Sequence, residues 1–326
     1  MTKVIGPALS LEAKGKFGNT VQFQKTPEGF SLYKKHKPGD VVKKEPSNLQ
    51  ISKRYIYKFA SIRWQVFTDE EKEVWNTLAK QQGDIMSGWN LYYKNVCKDQ
   101  LNNLGIVALW DFTKGSSYDF SGNGLVATAT LGDGHYESDG LHFDGITTRI
   151  SPDVVNLNSL MKKSEGSVTC ILKFNNIDNL NDLSAQYYIR LFVNPNDRIE
   201  IRKTGISRKL LQIVEFDSLI YFNQVTLTEE LKQTFSLTVT WSYEKNKIRA
   251  YIDNNKYFES DSMISKFEGN LNELYTWIGT DKAEMLFPYR DVMKAVIFTN
   301  SYLSEDEIFK QNIFFKKNFK LGSLIL

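Results

Sequence analysis

The chain has 326 residues, 41% hydrophobic and 13% aromatic, with 7 prolines and a formal charge of +3. That length favours two packed domains, the apolar content excludes a disordered chain, and abundant Tyr and Phe with scarce Pro favour strands. Bases outnumber acids before residue 100, which reads as a lysine-rich solvated face, with nucleic acid or an acidic protein surface as the alternative partner.

The first predicted elements are short strands with tight turns between Gly6 and Tyr33. Gly15, Gly18 and Gly29 punctuate them, Val21 and Phe23 alternate with Gln22 and Gln24, and Pro27 with Gly29 marks a hairpin turn. His36 to Glu45 is Lys-rich with Pro38 and Gly39 and reads as an extended arm. Helix signals follow. Ser47 with Gln50 forms a capping box after Pro46, and Ile51, Tyr55, Phe59, Ile62 and Val66 make one apolar stripe. Thr68 with Glu71 makes a second capping box, and Asp69, Glu70 and Glu71 complement the helix dipole. Val74, Trp75, Leu78 and Ala79 form the next stripe, ended by Gly83. The expectation is a two-helix hairpin, too small to be stable without a partner surface or the neighbouring β-region.

This segment resembles small structural proteins of tailed bacteriophages and prophages. The match rests on Gly15, Lys16, Gly18 and Asn19 in a hairpin, and on Pro46, Asn48, Gln50 and Arg54 at the first helix. It continues through Trp64 and Thr68 at the junction, Trp75, Asn76 and Ala79 in an acidic helix, and Ser87 and Gly88 at the end. It departs at Phe67, where leucine is usual. The resemblance covers residues 1–96 and attaches no chemistry; it implies assembly into a virion, with Gly15, Gly18, Asn19, Pro46, Asn48, Gln50, Arg54, Trp64, Trp75, Ser87 and Gly88 as the assembly anchor.

From Gly105 onward, short runs follow at β-sandwich spacing. SVTCILKF places Val168, Cys170, Leu172 and Phe174 on one face. FSLTVTWS alternates Phe235, Leu237, Val239 and Trp241 with Ser236, Thr238, Thr240 and Ser242, which predicts one face in a core and the other in water. KIRAYIDNNKYF is a hairpin turning at Asp253, Asn254 and Asn255, LYTWIGT and VMKAVIFT add strands, and Ser304 with Glu307 caps a short closing helix. The blocks LWDF…DFSGNG…LHFDG, TVTWSYEKNKIRAYIDN and IGT…VMKAVIFTNSYLSEDEI resemble the laminin-G-like (concanavalin A-like) family over residues 105–312. The resemblance implies an antiparallel jelly-roll sandwich, a fold that hosts lectins, adhesion modules and glycan-cleaving enzymes. The expected fold class is therefore mainly β, preceded by a small α+β segment of hairpins and a helical hairpin. The expected domains are an anchoring region over 1–100, the sandwich over 104–318 and a tail over 319–326.

The chemistry is sparse. A glycosidase on this fold needs paired carboxylates, and DRIEIRK offers only Glu200 facing one way. His135 and His142 flank the opening block without a nucleophile or carboxylate partner at recognisable spacing and read as surface or strand histidines. Asp119, Asn123 and Asp144 are calcium candidates by resemblance, but they are also what tight turns select, and turn chemistry is the favoured reading. Calcium is the one candidate ion, and no other cofactor is expected. Tyr118, Tyr136, Trp277 and Tyr289 are candidate sugar-stacking platforms, with packing as the competing role of each. Cys97 and Cys170 show no metal spacing and read as buried thiols of a reducing cytoplasm. The N-terminus lacks a signal-peptide pattern, and no run is long enough for membrane insertion.

The sequence therefore points to a non-enzymatic virion protein assembled in a host cytoplasm. It would bind other virion proteins in many copies and display a sandwich toward host-surface glycan. Nucleic acid is not an expected partner, with the arm Lys34–Lys44 as the exception to test. A glycan-active enzyme and a host-encoded carbohydrate-binding protein are the alternatives.

Overall fold

The structure, a computed structural model, describes residues 15–17, 21–26, 29–34, 46–81, 87–98, 105–175, 184–204, 209–216, 219–226, 234–261, 269–281 and 288–319. The chain forms two compact units, Met1–Ser47 and Asn48–Leu326. The break in contacts thus lies at Ser47, whereas the sequence pattern places it at 100–104.

The first unit holds an antiparallel sheet in the order β1 (Gly15–Phe17), β2 (Val21–Thr26), β3 (Gly29–Lys34). Thr26 pairs with Gly29, so the hairpin expected at Pro27–Gly29 is formed. Gly18, Asn19 and the arm from His36 to Glu45 lie outside the described residues.

The second unit opens with α1 (Asn48–Val66), α2 (Asp69–Gln81) and α3 (Gly88–Lys98). The third helix goes beyond the expected hairpin. The Thr68 box opens α2: Thr68 N donates to Glu71 Oε2 at 2.9 Å and Glu71 N to Thr68 Oγ1 at 3.2 Å. Ser87 caps α3 by accepting from Asn90 N at 3.3 Å. Gly88 is obligatory for a steric reason, because an added Cβ would meet Asn76 N at 2.6 Å and the Trp75 carbonyl carbon at 2.8 Å. The two anchor tryptophans are packing residues: Trp64 and Trp75 place their rings 5.6 and 5.2 Å from Tyr92. Pro46 is half-buried, while Asn48, Gln50 and Arg54 are exposed. Of the apolar stripe on α2, Trp75 and Ala79 turn inward. Val74 and Leu78 stay 58% and 39% exposed, because they lie about 100° round the helix from the line that meets α3.

The sandwich follows, with β4 (Ile106–Asp111), β5 (Thr128–Thr130), β6 (His135–Glu137), β7 (Gly140–His142), β8 (Arg149–Ser151) and α4 (Val154–Leu160). Next come β9 (Glu165–Lys173), β10 (Gln186–Asn194), β11 (Asp197–Lys203), β12 (Lys209–Phe216) and β13 (Leu219–Thr226). The last are β14 (Thr234–Ser242), β15 (Lys247–Ile252), β16 (Asn255–Ser260), β17 (Trp277–Ile278), β18 (Val292–Thr299) and α5 (Glu305–Phe319). One antiparallel sheet has the order β13-β12-β11-β10-β17-β8-β5; the other has β16-β15-β14-β9-β18-β7-β6, with β4 also on β18. The expected mainly-β sandwich is what forms. Its core interleaves Val168, Cys170, Leu237 and Trp241 of one sheet with Ile150, Ile189, Leu191 and Ile201 of the other. Each such side chain stabilises the fold by about 1.5–3 kcal/mol on burial.

A second apolar cluster joins the helices to the outer face of the β4-containing sheet. Tyr55, Ile56, Phe59 and Ala60 of α1 meet Ile106, Leu109, Ile171 and Ile297. Ser52 Oγ donates to Phe120 O at 2.8 Å, and Tyr55 OH donates to the buried Asp111 carboxylate.

The alternation of β14 does not mean what its pattern predicts. Ser236, Thr238, Thr240 and Ser242 are buried, not wet. Their hydroxyls are satisfied instead: Ser236 Oγ donates to Asn312 Oδ1 of α5 at 2.8 Å, Thr238 pairs with Thr169 at 2.9 Å, and Thr240 Oγ1 accepts from Leu303 N at 2.9 Å. A polar sheet face can be covered when each hydroxyl has a partner. The Ser304–Glu307 box opens α5 as expected, with Ser304 N donating to Glu307 Oε2 at 2.9 Å. The β15–β16 hairpin also forms, with Asp253 in the left-handed region at φ 50°.

Candidate binding face

Strand parity builds a second surface on the other sheet. Ile189 and Leu191, Ile199 and Ile201, Ile278 and Ile150 point into the core. Their neighbours Arg190 and Phe192, Arg198, Glu200 and Arg202, Trp277 and Arg149 therefore share the opposite face. Register places Arg190 directly between Glu200 and Trp277.

Glu200 is the hub. It is 2% exposed, and its oxygens lie 2.9 Å from Arg190 Nε, 3.6 Å from Arg198 Nε and 4.0 Å from Arg202 Nε. A carboxylate this buried needs such pairing. Three of the guanidiniums sit over aromatic rings. Arg190 sits 4.5 Å from the Phe192 centroid, Arg202 5.1 Å from Tyr187 and Arg149 5.2 Å from Trp277. Tyr275 packs at a tilt against Phe192 at 5.1 Å and reaches the surface. Arg190 Nη1 also donates to Asp281 O at 2.8 Å. Among the described residues of β8, β10, β11 and β17, four arginines on this face stand against one carboxylate. The result is an arginine-rich patch with guanidiniums seated over aromatic rings.

Of the four sequence-predicted stacking aromatics, Trp277 alone belongs to this face. Tyr289 is 0% exposed, and its hydroxyl donates to Val292 O at 3.2 Å, so it is core and not a sugar platform. Tyr136 packs against the same core, and Tyr118 covers Phe120 at 5.0 Å. Sequence reasoning passed over the arginines, although Arg198, Glu200 and Arg202 alternate visibly in DRIEIRK.

The calcium candidates hold turns. Asp119 accepts from Leu109 N at 3.0 Å, Ser121 N at 2.8 Å, Ser121 Oγ at 2.7 Å and Leu125 N at 3.1 Å. Burial pushes its carboxyl above the usual range, against the pull of those donors. Asn123 Nδ2 donates to Ile106 O and Val107 O at 3.0 and 2.8 Å. Asp144 Oδ1 accepts from the backbone of Ile146, Thr147 and Thr148 at 2.9, 2.8 and 2.8 Å. Partial burial opposes ionisation of Asp144, but these donors and the Thr147 hydroxyl win and hold it well below the ordinary value. Among the described residues, neither Asp119 nor Asp144 joins a group of three clustered metal-ligating side chains.

The histidines lie in strands, as expected, but not without carboxylates. His135 and His142 are cross-strand partners on the β6–β7 hairpin, and both have carboxylate neighbours. Sequence spacing hid this, since the pairing depends on where the chain turns.

Comparison with known proteins places the fold. No family model and no curated protein matches the chain. The receptor binding domain of a botulinum neurotoxin C/D mosaic serotype matches with a TM-score of 0.50 and 15% identity, over 65% of this chain and 51% of that one. The binding domain of botulinum neurotoxin serotype D matches with a TM-score of 0.50 and 12% identity, over 64% and 50%. Domain 4 of a GH43 extracellular arabinanase from Geobacillus stearothermophilus, solved with arabinotriose, gives 0.48 and 14% over 63% and 96%. The chain thus spans about half the length of the toxin domains it matches. The toxin likeness establishes a shared β-sandwich fold. Among the described residues, no helix is long and apolar enough to cross a membrane.

Proposed function

We propose that this chain is a binding protein whose seven-stranded sheet recognises an acidic glycan through its outer face. The observation that carries the reading is the arginine set on aromatic rings, Arg149 on Trp277 above all, beside the exposed Tyr275. Guanidiniums seated over rings offer N–H donors that suit the carboxylate or sulfate of a sugar acid. A catalytic role is disfavoured because Glu200 is engaged by three arginines and has no free partner role as an acid or nucleophile. The toxin domains that share the fold are named for binding, which agrees with this reading. The N-terminal resemblance to phage structural proteins adds the finer picture of a virion component anchored by its leading segment and displayed in many copies, where weak contacts add up.

The test is binding of the purified full-length protein to polygalacturonate and polysialic acid beside neutral dextran and laminarin. Acidic polymers should bind, more weakly as salt rises, and Arg149→Ala and Trp277→Ala should each lower affinity about tenfold. Equal binding of neutral polymers, or variants that bind as well as wild type, would overturn it. New reducing ends that vanish in Glu200→Ala would favour the enzyme reading instead. Particle mass spectrometry tests the virion assignment.

A further inference from the structure

The β6–β7 hairpin gathers a second set of chemical groups away from the arginine face. His135 and Glu137 are two residues apart on β6, so both project from one side of the strand. His142 lies directly opposite His135 in the ladder and shares that side. The two imidazoles stack with centroids 5.0 Å apart and planes 15° from parallel. Glu137 reaches between them, with Oε1 2.9 Å from His135 Nε2 and Oε2 3.6 Å from His142 Nε2. One ligand atom from each of the three side chains lies within 4.8 Å of the others.

The base under this group is fixed. Glu137 pairs with Gly140, which leaves Ser138 and Asp139 as a tight two-residue turn. Leu141 is buried in the core and pairs with Met293, and His142 pairs with Val292. Gly140, at φ 143°, allows this seating, since a Cβ there would meet Met293 O at 2.6 Å. Asp139 reaches the group from the turn: its Oδ1 is 2.8 Å from His142 Nε2, and its Oδ2 accepts from Lys173 Nζ at 2.8 Å. His135 and Glu137 are exposed, so small rotamer changes suffice to bring the three ligand atoms to the spacing of about 3.3 Å that tetrahedral zinc with bonds near 2.0–2.1 Å requires.

We propose that His135, Glu137 and His142 form a binding site for a first-row divalent transition cation of the zinc type. Two imidazoles and one carboxylate suit Zn2+, Co2+ or Ni2+, whereas calcium and magnesium take all-oxygen shells. Three protein ligands on an exposed hairpin leave a coordination position open to water or to an oxygen of another molecule. Asp139, anchored by Lys173, holds the same His142 Nε2 that faces Glu137, so a cation bound there displaces that contact.

The test uses metal-free, tag-free full-length protein. Calorimetric titration with ZnCl2 should show one saturable site per chain, CoCl2 should give visible absorption bands, and CaCl2 and MgCl2 should give neither. The chain has 3 histidines, so His135→Ala/His142→Ala leaves one. That variant should lose affinity by about a hundredfold. A double variant that does not fold is replaced by His135→Gln, whose exposed position spares the core, with the same expected direction. Absence of saturable zinc binding by wild type, or binding as tight in the histidine variants, would overturn the proposal.

Discussion

Two tyrosines on neighbouring helices offer a matched test of how the helices are held to the sandwich. Tyr55 OH donates to Asp111, whose carboxylate is 0% exposed. Burial, together with that carboxylate, raises the Tyr55 hydroxyl far above its ordinary pKa. Tyr92 is equally buried, and burial pushes its hydroxyl up to about 12, but that hydroxyl has no hydrogen-bond partner. Tyr→Phe removes the same atom at both sites. At 55 it strips a donor from a buried carboxylate whose nearest cation, Lys114 Nζ, stands 3.7 Å away. The expected cost of Tyr55→Phe is about 2 kcal/mol, while Tyr92→Phe should change stability by less than about 0.5 kcal/mol. With about 2 °C per kcal/mol for a unit of this size, Tyr55→Phe should melt about 4 °C lower. Urea denaturation followed by far-UV circular dichroism and tryptophan fluorescence reads both variants. The helical and sheet signals should move together, because Tyr55 lies at their shared cluster. Equal stability of the two variants, or a Tyr55→Phe effect confined to the helical signal, would refute the reasoning.

Two further outcomes follow from close contacts. Gly88→Ala should destabilise by about 1–3 kcal/mol in the same urea assay, because the methyl meets backbone of α2 that has no room to move. Asp144→Ala should lower the melting temperature at neutral pH. Because folding depresses the Asp144 pKa, its contribution is complete above the unfolded value near 3.9 and fades as pH falls toward the lower folded value. The gap between wild type and Asp144→Ala should therefore be full at pH 6 and shrink below about pH 4; a gap that widens in acid would contradict the assignment.

Much of the sandwich was legible because strand patterning is local. Val168, Cys170 and Leu172 face the core as their alternation requires, and the Asp253 turn sits where Asn and Asp cluster. Capping boxes were equally readable, since Thr68 with Glu71 and Ser304 with Glu307 are three residues apart and need no tertiary help. Burial of the polar face of β14 was not readable, because it depends on α5 and the residues leading into it arriving from more than sixty residues downstream to supply Asn312 and Leu303. The same holds for the sites. Glu200 was visible, but its partner Arg190 comes from another strand, and the His135–His142 pair exists only once the register of a two-residue turn is known.

The packing of α1 against Ile106, Leu109, Ile171 and Ile297 has a practical corollary for anyone wishing to transplant the sandwich. Cut loose near residue 104, the barrel-like half would carry a bare oily patch where its lid had been, and the severed lid would carry the complementary one. The portable module therefore begins at Asn48, roof included.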